Sequence, residues 1–322
     1  MLYICLAEDE RNNIPESYNN IPTFLKNIVH YFEKKDVIEL WHNWRGYFLE
    51  KKIEGKNILI LQNLKTNTLK KLDKYLKVNC VKNVCISDEL RTNKEFKDFL
   101  LGQAINIFDG KWLYKHMMIK IIEFVVQNKK EKMEYQEISI LVNEIDDIII
   151  ENIYQIAPRI KLLNIITNNE NKFKKIEKKI YDEKGILLNI NNNYKKSLIK
   201  SDIIINVDFC EETVNKYSFP KNACLINLKN EIKIKSKSFE GINICFFDIF
   251  MPQKYVKLQS NFKKFNLPIL YESFIYKRTC SINIKKQIEE DGAKISSLIG
   301  SNGIIRKNEY LNLSKNKLPF SN

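Results

Sequence analysis

Glycine is scarce in this 322-residue chain: there are nine, and none lies between Gly110 and Gly185. Collagen-like and glycine-rich linker compositions are excluded, and every turn in that interval lacks the residue that adopts positive φ without steric cost. Arginine is scarcer still. Of 53 basic residues only six are arginine (Arg11, Arg45, Arg91, Arg159, Arg278, Arg306), and against 39 acidic residues the net charge is +14. Proteins that read phosphates or base edges favour the planar arginine fork. A lysine excess accompanied by abundant Asn and Ile reads instead as the imprint of an AT-rich genome on solvated faces, so nucleic acid is not expected as a partner. The charge is nearly balanced over 1–160 and strongly positive over 161–200 and 251–322, where any electrostatic contact would fall. Apolar runs of the roughly 18 residues that a membrane span needs are absent. The start, Met1 to Glu10, has neither a basic leading segment nor a long apolar core, so no secretory signal is expected. The seven cysteines are odd in number and mostly sit in apolar runs such as Ile4-Cys5-Leu6 and Ile244-Cys245-Phe246. They read as buried thiols in a reduced, cytoplasmic setting. The three histidines (His30, His42, His116) are scattered, with no zinc-ligand spacing, and no metal is expected. His116 shares a helical face with Trp112 and Leu113 and reads as a core or rim histidine, with a general acid–base role as the alternative.

What is present is 44 % hydrophobic and 11 % aromatic residues, enough for two domains with real cores. The first 108 residues read as a small α/β domain. It has strands at 2–7, 57–61 and 81–87 and a helix carrying Leu69, Leu72, Tyr75 and Leu76. The stripes Ile21–Phe32 and Val37, Leu40, Trp41, Trp44 and Phe48 have helical spacing and predict two further helices. A second domain is expected over 109–252. A long helix from Trp112 leads into strands at 138–142, 162–167, 186–190, 202–207, 223–228 and 242–247, with helices at about 147–157, 170–184 and 194–200 between them. Nearly all-apolar strands in βα alternation predict a mostly parallel sheet with helices on both faces. Residues 253–322 are expected to form a C-terminal segment: a helix carrying Tyr255, Leu258, Phe262 and Phe265, mostly helix on to about Leu298, and a frayed tail from Arg306. Gly300-Ser301-Asn302-Gly303 has the Gly-x-x-Gly spacing of KH nucleic-acid loops, and a turn or helix cap is the preferred reading.

Three local features carry a resemblance. A long helix enters the strand at 138–142. The next strand ends in Ile165-Ile166-Thr167-Asn168-Asn169-Glu170-Asn171-Lys172. Ser201-Asp202-Ile203-Ile204-Ile205-Asn206-Val207 is followed by Pro220-Lys221-Asn222-Ala223-Cys224-Leu225-Ile226-Asn227-Leu228. This stretch resembles the NAD(P)-binding Rossmann domain of shikimate dehydrogenase and glutamyl-tRNA reductase, and implies that fold. The chain departs from the family where the cofactor would be held. The turn after the first strand is Val142-Asn143-Glu144-Ile145-Asp146-Asp147, with no glycine and three carboxylates, where the family's glycine turn lets backbone N–H groups reach a diphosphate. Asn168 stands where the family has an arginine for the 2′-phosphate, and neither family's catalytic residues align. Asp146 and Asp147 read as caps of the helix they open.

The expectation is therefore a degenerate Rossmann-like domain that binds a small ligand or a protein partner, or regulates, without nicotinamide redox chemistry and with no cofactor. Its ligand cleft is expected at Asn143, Asp146, Thr167, Asn168 and Asp208, outside the carboxyl ends of the strands. The first alternative is an NAD(P)-dependent oxidoreductase related to shikimate dehydrogenase, with a non-standard phosphate turn. The second is a lysine-rich nucleic-acid-binding protein.

Overall fold

Leu2-Tyr3-Ile4-Cys5 is an apolar run with both of its alternating faces buried, the pattern of a strand with neighbours on both sides. In the computed structural model, which describes residues 1–6, 30–34, 37–43, 47–53, 55–229, 231–259, 262–276 and 284–314, this run is β1 (Leu2–Leu6). It is followed by β2 (His30–Lys34), β3 (Val37–Asn43), β4 (Phe48–Ile53), β5 (Lys56–Leu61), α1 (Thr66–Val78), β6 (Asn83–Ile86), α2 (Asp88–Thr92), α3 (Lys94–Gly102) and β7 (Asn106–Ile107). These strands form one seven-stranded sheet in the order β2-β3-β4-β5-β1-β6-β7. β1 lies parallel between β5 and β6, while β2 to β5 form an antiparallel meander. Leu72, Tyr75 and Leu76 on α1 pack into a core with Ile4, Phe48, Leu59 and Val84.

The helix expected through Val37–Phe48 is corrected: Val37–Asn43 is strand β3, paired with β2 and β4. Glu50-Lys51-Lys52, just past that stripe, lies within β4 against β5. Three- and four-residue apolar spacings over so short a run do not separate helix from strand, and pairing with β5 decides the matter. The helix expected over Ile21–Phe32 falls mostly outside the described residues, and its end, from His30, is strand β2.

The second unit begins with α4 (Lys111–His116) and α5 (Met118–Lys129), and continues through β8 (Glu137–Leu141), α6 (Asp147–Ile156), β9 (Leu162–Ile166), α7 (Glu170–Lys184), β10 (Asn189–Asn191), β11 (Ile203–Asn206), α8 (Glu211–Val214), β12 (Cys224–Asn227) and β13 (Ile242–Phe250). Along the chain α9 (Gln253–Gln259) and α10 (Leu267–Tyr276) come next, as part of the first unit, and the second unit resumes with α11 (Ile284–Glu290), β14 (Lys294–Gly300), β15 (Gly303–Ile304) and α12 (Lys307–Ser314). The eight-stranded sheet runs β10-β9-β8-β11-β12-β13-β14-β15. Its first six strands are parallel and the last two antiparallel. The chain is thus α/β, with parallel-dominated sheets flanked by helices. Ile203-Ile204-Ile205 of β11 is fully buried at the centre of the sheet, and Ile204 packs with Leu141, Ile166, Phe209 and Leu225.

The C-terminal residues do not form a segment of their own. The chain divides into Met1–Gly110 with Gln253–Asn283, and Lys111–Pro252 with Ile284–Asn322. Helix α9 ends at Gln259, short of Phe262 and Phe265. The long helical reading up to Leu298 is also corrected: after α11 the chain forms β14, which adds antiparallel to β13. Residues 194–200 are turns rather than a short helix. Ser301 and Asn302 make the turn between β14 and β15, with Gly303 at φ +100°. Of the tail expected to fray, Lys307–Ser314 is helix α12, and 315–322 lie outside the described residues.

Candidate functional site

Counted from β8 as one, the parallel strands stand in the order 3-2-1-4-5-6. Successive connections therefore leave β8 to one side and β11 to the other, and the loops after these two strands diverge. In open α/β sheets ligands bind in that crevice. The loop after β8 runs from Val142 to Asp146, where α6 begins, and the loop after β11 contains Val207, Asp208 and Phe209.

The two loops are tied by one side chain. The Asp208 carboxylate accepts the backbone N–H of Asn143 at 2.9 and 3.0 Å and that of Glu144 at 2.7 Å. The Asn143 side-chain oxygen in turn accepts the Asn168 backbone N–H at 2.9 Å, and its carbonyl accepts the Asn169 amide at 3.3 Å. Buried Thr167 receives the Asn169 N–H on its hydroxyl at 3.0 Å. Four of the five residues expected from the sequence, Asn143, Thr167, Asn168 and Asp208, thus belong to one network across the ends of β8, β9 and β11. The fifth, Asp146, is engaged otherwise. Its carboxylate caps α6 by accepting the Ile149 N–H at 2.8 Å, and pairs with Lys115 at 2.8 Å. An N-cap reading of Asp146 explains this in full.

Asparagines that the sequence reading passed over extend the network. Asn206, at the end of β11, both donates to and accepts from the Phe209 backbone (3.1 and 3.0 Å) and donates to the Asn227 oxygen at 3.3 Å. Asn227 reaches Asn243 at 2.6 Å, and Asn243 donates to the Ile232 carbonyl at 2.7 Å. Asn192 donates to Asn168 at 2.7 Å and accepts from the Tyr217 hydroxyl. The available signal was an asparagine ending each of β11 and β12, an amide that can satisfy both a donor and an acceptor where a strand stops.

Beside the turn, α4 carries Lys115 and His116. Burial, with the Lys285 charge, pushes the His116 pKa down to about 4, and Asp146 only partly opposes this. The imidazole is therefore neutral at pH 7, its ring edge-on to Trp112 with centroids 4.4 Å apart. Burial also lowers the Lys285 ammonium below its ordinary range, an effect that Glu151 at 3.4 Å opposes. Among the thiols, burial pushes Cys224 up to about 12 and Cys85 higher still, so neither is a thiolate nucleophile at neutral pH. Among the described residues no three His, Cys, Asp or Glu side chains are grouped to hold a metal ion. No helix of the described residues is long and apolar enough to cross a membrane.

A diphosphate tests the turn severely. The N–H groups of Asn143 and Glu144 go to Asp208 and that of Ile149 to Asp146, while Glu144 is exposed and 3.7 Å from Lys172. As arranged, the turn presents two internal carboxylates where a phosphate would need free donors, so the residues present do not fit a diphosphate there.

Fold and crevice together define the class: an α/β protein with the sheet order of the dinucleotide-binding domains. No protein-family model matches the chain, and no curated protein does. Among solved structures it is similar to L-tryptophan dehydrogenase from Nostoc punctiforme (8 % identity, 80 % of this chain and 68 % of that one, TM-score 0.33). It is also similar to Thermococcus litoralis Δ1-pyrroline-2-carboxylate reductase in complex with NADH and L-proline (10 %, 70 % and 68 %, TM-score 0.23). A third similar structure is mitochondrial ornithine carbamoyltransferase from Coccidioides immitis (6 %, 74 % and 76 %, TM-score 0.27). The expectation of a domain working without nicotinamide redox chemistry is corrected here. The complete 3-2-1-4-5-6 order of a dinucleotide-binding sheet is kept, and this stands with the oxidoreductase alternative.

Proposed function

We propose that the chain is an NAD(P)-dependent oxidoreductase with a non-standard diphosphate turn, of the broad kind to which shikimate dehydrogenase belongs. The observation that supports this is the strand order, with its reversal between β8 and β11, the arrangement that places a dinucleotide crevice at the strand ends. The ligand cleft we assign is built on Asn143, Thr167, Asn168 and Asp208, with Asp146 at its margin. Beside it Lys115 pairs with Asp146 at 2.8 Å, and His116, neutral at pH 7, is the candidate proton acceptor.

A thermal-shift titration against NAD+, NADH, NADP+ and NADPH tests the reading. A ligand at about 100 times its dissociation constant adds roughly 2.7 kcal/mol of stability, so a saturable rise in melting temperature is expected with at least one of the four. No shift with any of them, in a protein that melts cooperatively, overturns it.

A further inference from the structure

The turn Gly300-Ser301-Asn302-Gly303, which the crevice does not use, forms one wall of a cavity of about 730 Å³, a volume within the range of small-molecule sites. The other walls are the chain entering β13, at Gly241, Ile242 and Asn243, and the chain entering α12, at Arg306, Asn308 and Glu309. β13 is parallel to β12, so its first residues stand at the amino ends of the strands, and the cavity lies at the opposite end of the sheet from the crevice. In a chain with nine glycines and six arginines, three of the glycines and one of the arginines line this cavity. The glycines leave bare backbone on its walls: Gly303 turns the chain at φ +100°, and a Cβ on Gly300 would stand 2.8 Å from the Asn243 carbonyl oxygen. Two opposite charges line the cavity without pairing. Arg306 and Glu309 are three positions apart, the spacing at which opposite charges on a helix meet, yet among the described residues the Arg306 guanidinium has neither an ion pair nor a hydrogen bond. Glu309 Oε2 instead accepts the Arg306 backbone N–H at 2.7 Å, a bond that closes the helix end, fixes the carboxylate and leaves its second oxygen open. Asn302 and Asn308 add exposed amides, and Ile304, 67 % exposed, adds an apolar side with Ile305.

We propose that this cavity binds a free α-amino acid. The Arg306 fork takes its carboxylate, the open Glu309 oxygen takes its ammonium group, and its side chain lies toward Ile304 and Ile305. A lone cation would select any carboxylate or phosphate, whereas a cation and an anion held apart match a ligand that carries both signs and is neutral overall. The site is independent of the oxidoreductase reading, which concerns the other end of the sheet. Arg306→Gln removes the carboxylate partner at an exposed position. Glu309→Gln keeps an oxygen for the Arg306 N–H and removes only the charge.

The experiment follows the backbone amide NMR spectrum of the full chain while each proteinogenic L-amino acid is added in turn to millimolar concentration. At least one is expected to shift the Asn302, Gly303 and Asn308 resonances saturably. The two analogues of that amino acid, one without the ammonium group and one without the carboxylate, are then titrated into wild type, and the amino acid itself into R306Q and E309Q. Each analogue, and each variant, is expected to bind on the order of tenfold more weakly, about 1.4 kcal/mol. No amino acid that moves those three resonances, or saturable shifts confined to other parts of the chain, overturns the proposal. So does an analogue that binds wild type as tightly as the amino acid, since one of the two charges then plays no part; this comparison needs no variant to fold. Unchanged affinity in both folded variants overturns it as well.

Discussion

Asn206 shows how one side chain can hold a loop. Only 1 % exposed, it satisfies the Phe209 N–H and carbonyl and passes a hydrogen bond to Asn227. Replacing it by alanine leaves buried donors and acceptors without partners, at about 1–3 kcal/mol for each group so stranded. Asn206→Ala is expected to lower stability by about 2 kcal/mol on this principle, read as a shift of the urea midpoint without a change in slope. An unchanged midpoint would show that water replaces the amide. His116 makes the residue-scale case for pH. Its pKa falls from 6.5 to about 4 on folding because burial disfavours the cation and Lys285 and Lys115 repel it, against the opposing pull of Asp146. Between these values the unfolded chain binds more protons than the folded one, so this group's contribution is complete above pH 6.5 and is lost as pH falls toward 4. In His116→Phe, the ratio of mutant to wild-type stability should therefore improve as pH falls from 6.5 to 4; a pH-independent ratio would mean that His116 does not titrate in this window.

At the scale of elements, the junction of β12 and β13 depends on Gly241. An added Cβ would lie 1.9 Å from the Ala223 carbonyl oxygen and 2.7 Å from the Phe239 ring, and that carbonyl accepts the Ile242 N–H at 3.2 Å. Because a backbone oxygen cannot swing aside, Gly241→Ala should cost roughly 1–3 kcal/mol or more by forcing the strand to shift, seen as a lower melting temperature and faster amide exchange along Ile242–Ile244. Normal exchange there would show that the strand absorbs the methyl group. Helix α7 was legible in its bounds: Phe173 and Ile180 are buried on one face, Tyr181 is exposed, and Gly185 closes the helix at φ +67° with its N–H on the Tyr181 carbonyl at 2.8 Å. β3 and β14 were not. Val37–Asn43 and Lys294–Gly300 are short runs whose apolar spacing suits either state, and each becomes a strand by pairing with a neighbouring strand.

For the whole molecule, the alternation of apolar strands and amphipathic helices from 138 to 247 made the parallel α/β architecture readable, because strands buried on both faces are apolar at every position. The placement of the C-terminal residues was not readable in the same way. Gln253–Asn283 belongs with the first unit and Ile284–Asn322 with the second. The candidate site divides along the same line. The sequence by itself determined that the turn after β8 has no glycine and carries Glu144, Asp146 and Asp147, and that Asn143, Thr167, Asn168 and Asp208 end or follow strands, since these are properties of residue type and local period. Only the tertiary structure decided that Asp208 closes on the amides of Asn143, 65 positions away, that the strand order reverses at that point, and that asparagines bridge the strand ends. Local pattern encodes which faces are buried, whereas partners distant in the chain are chosen by the packing of the complete sheet.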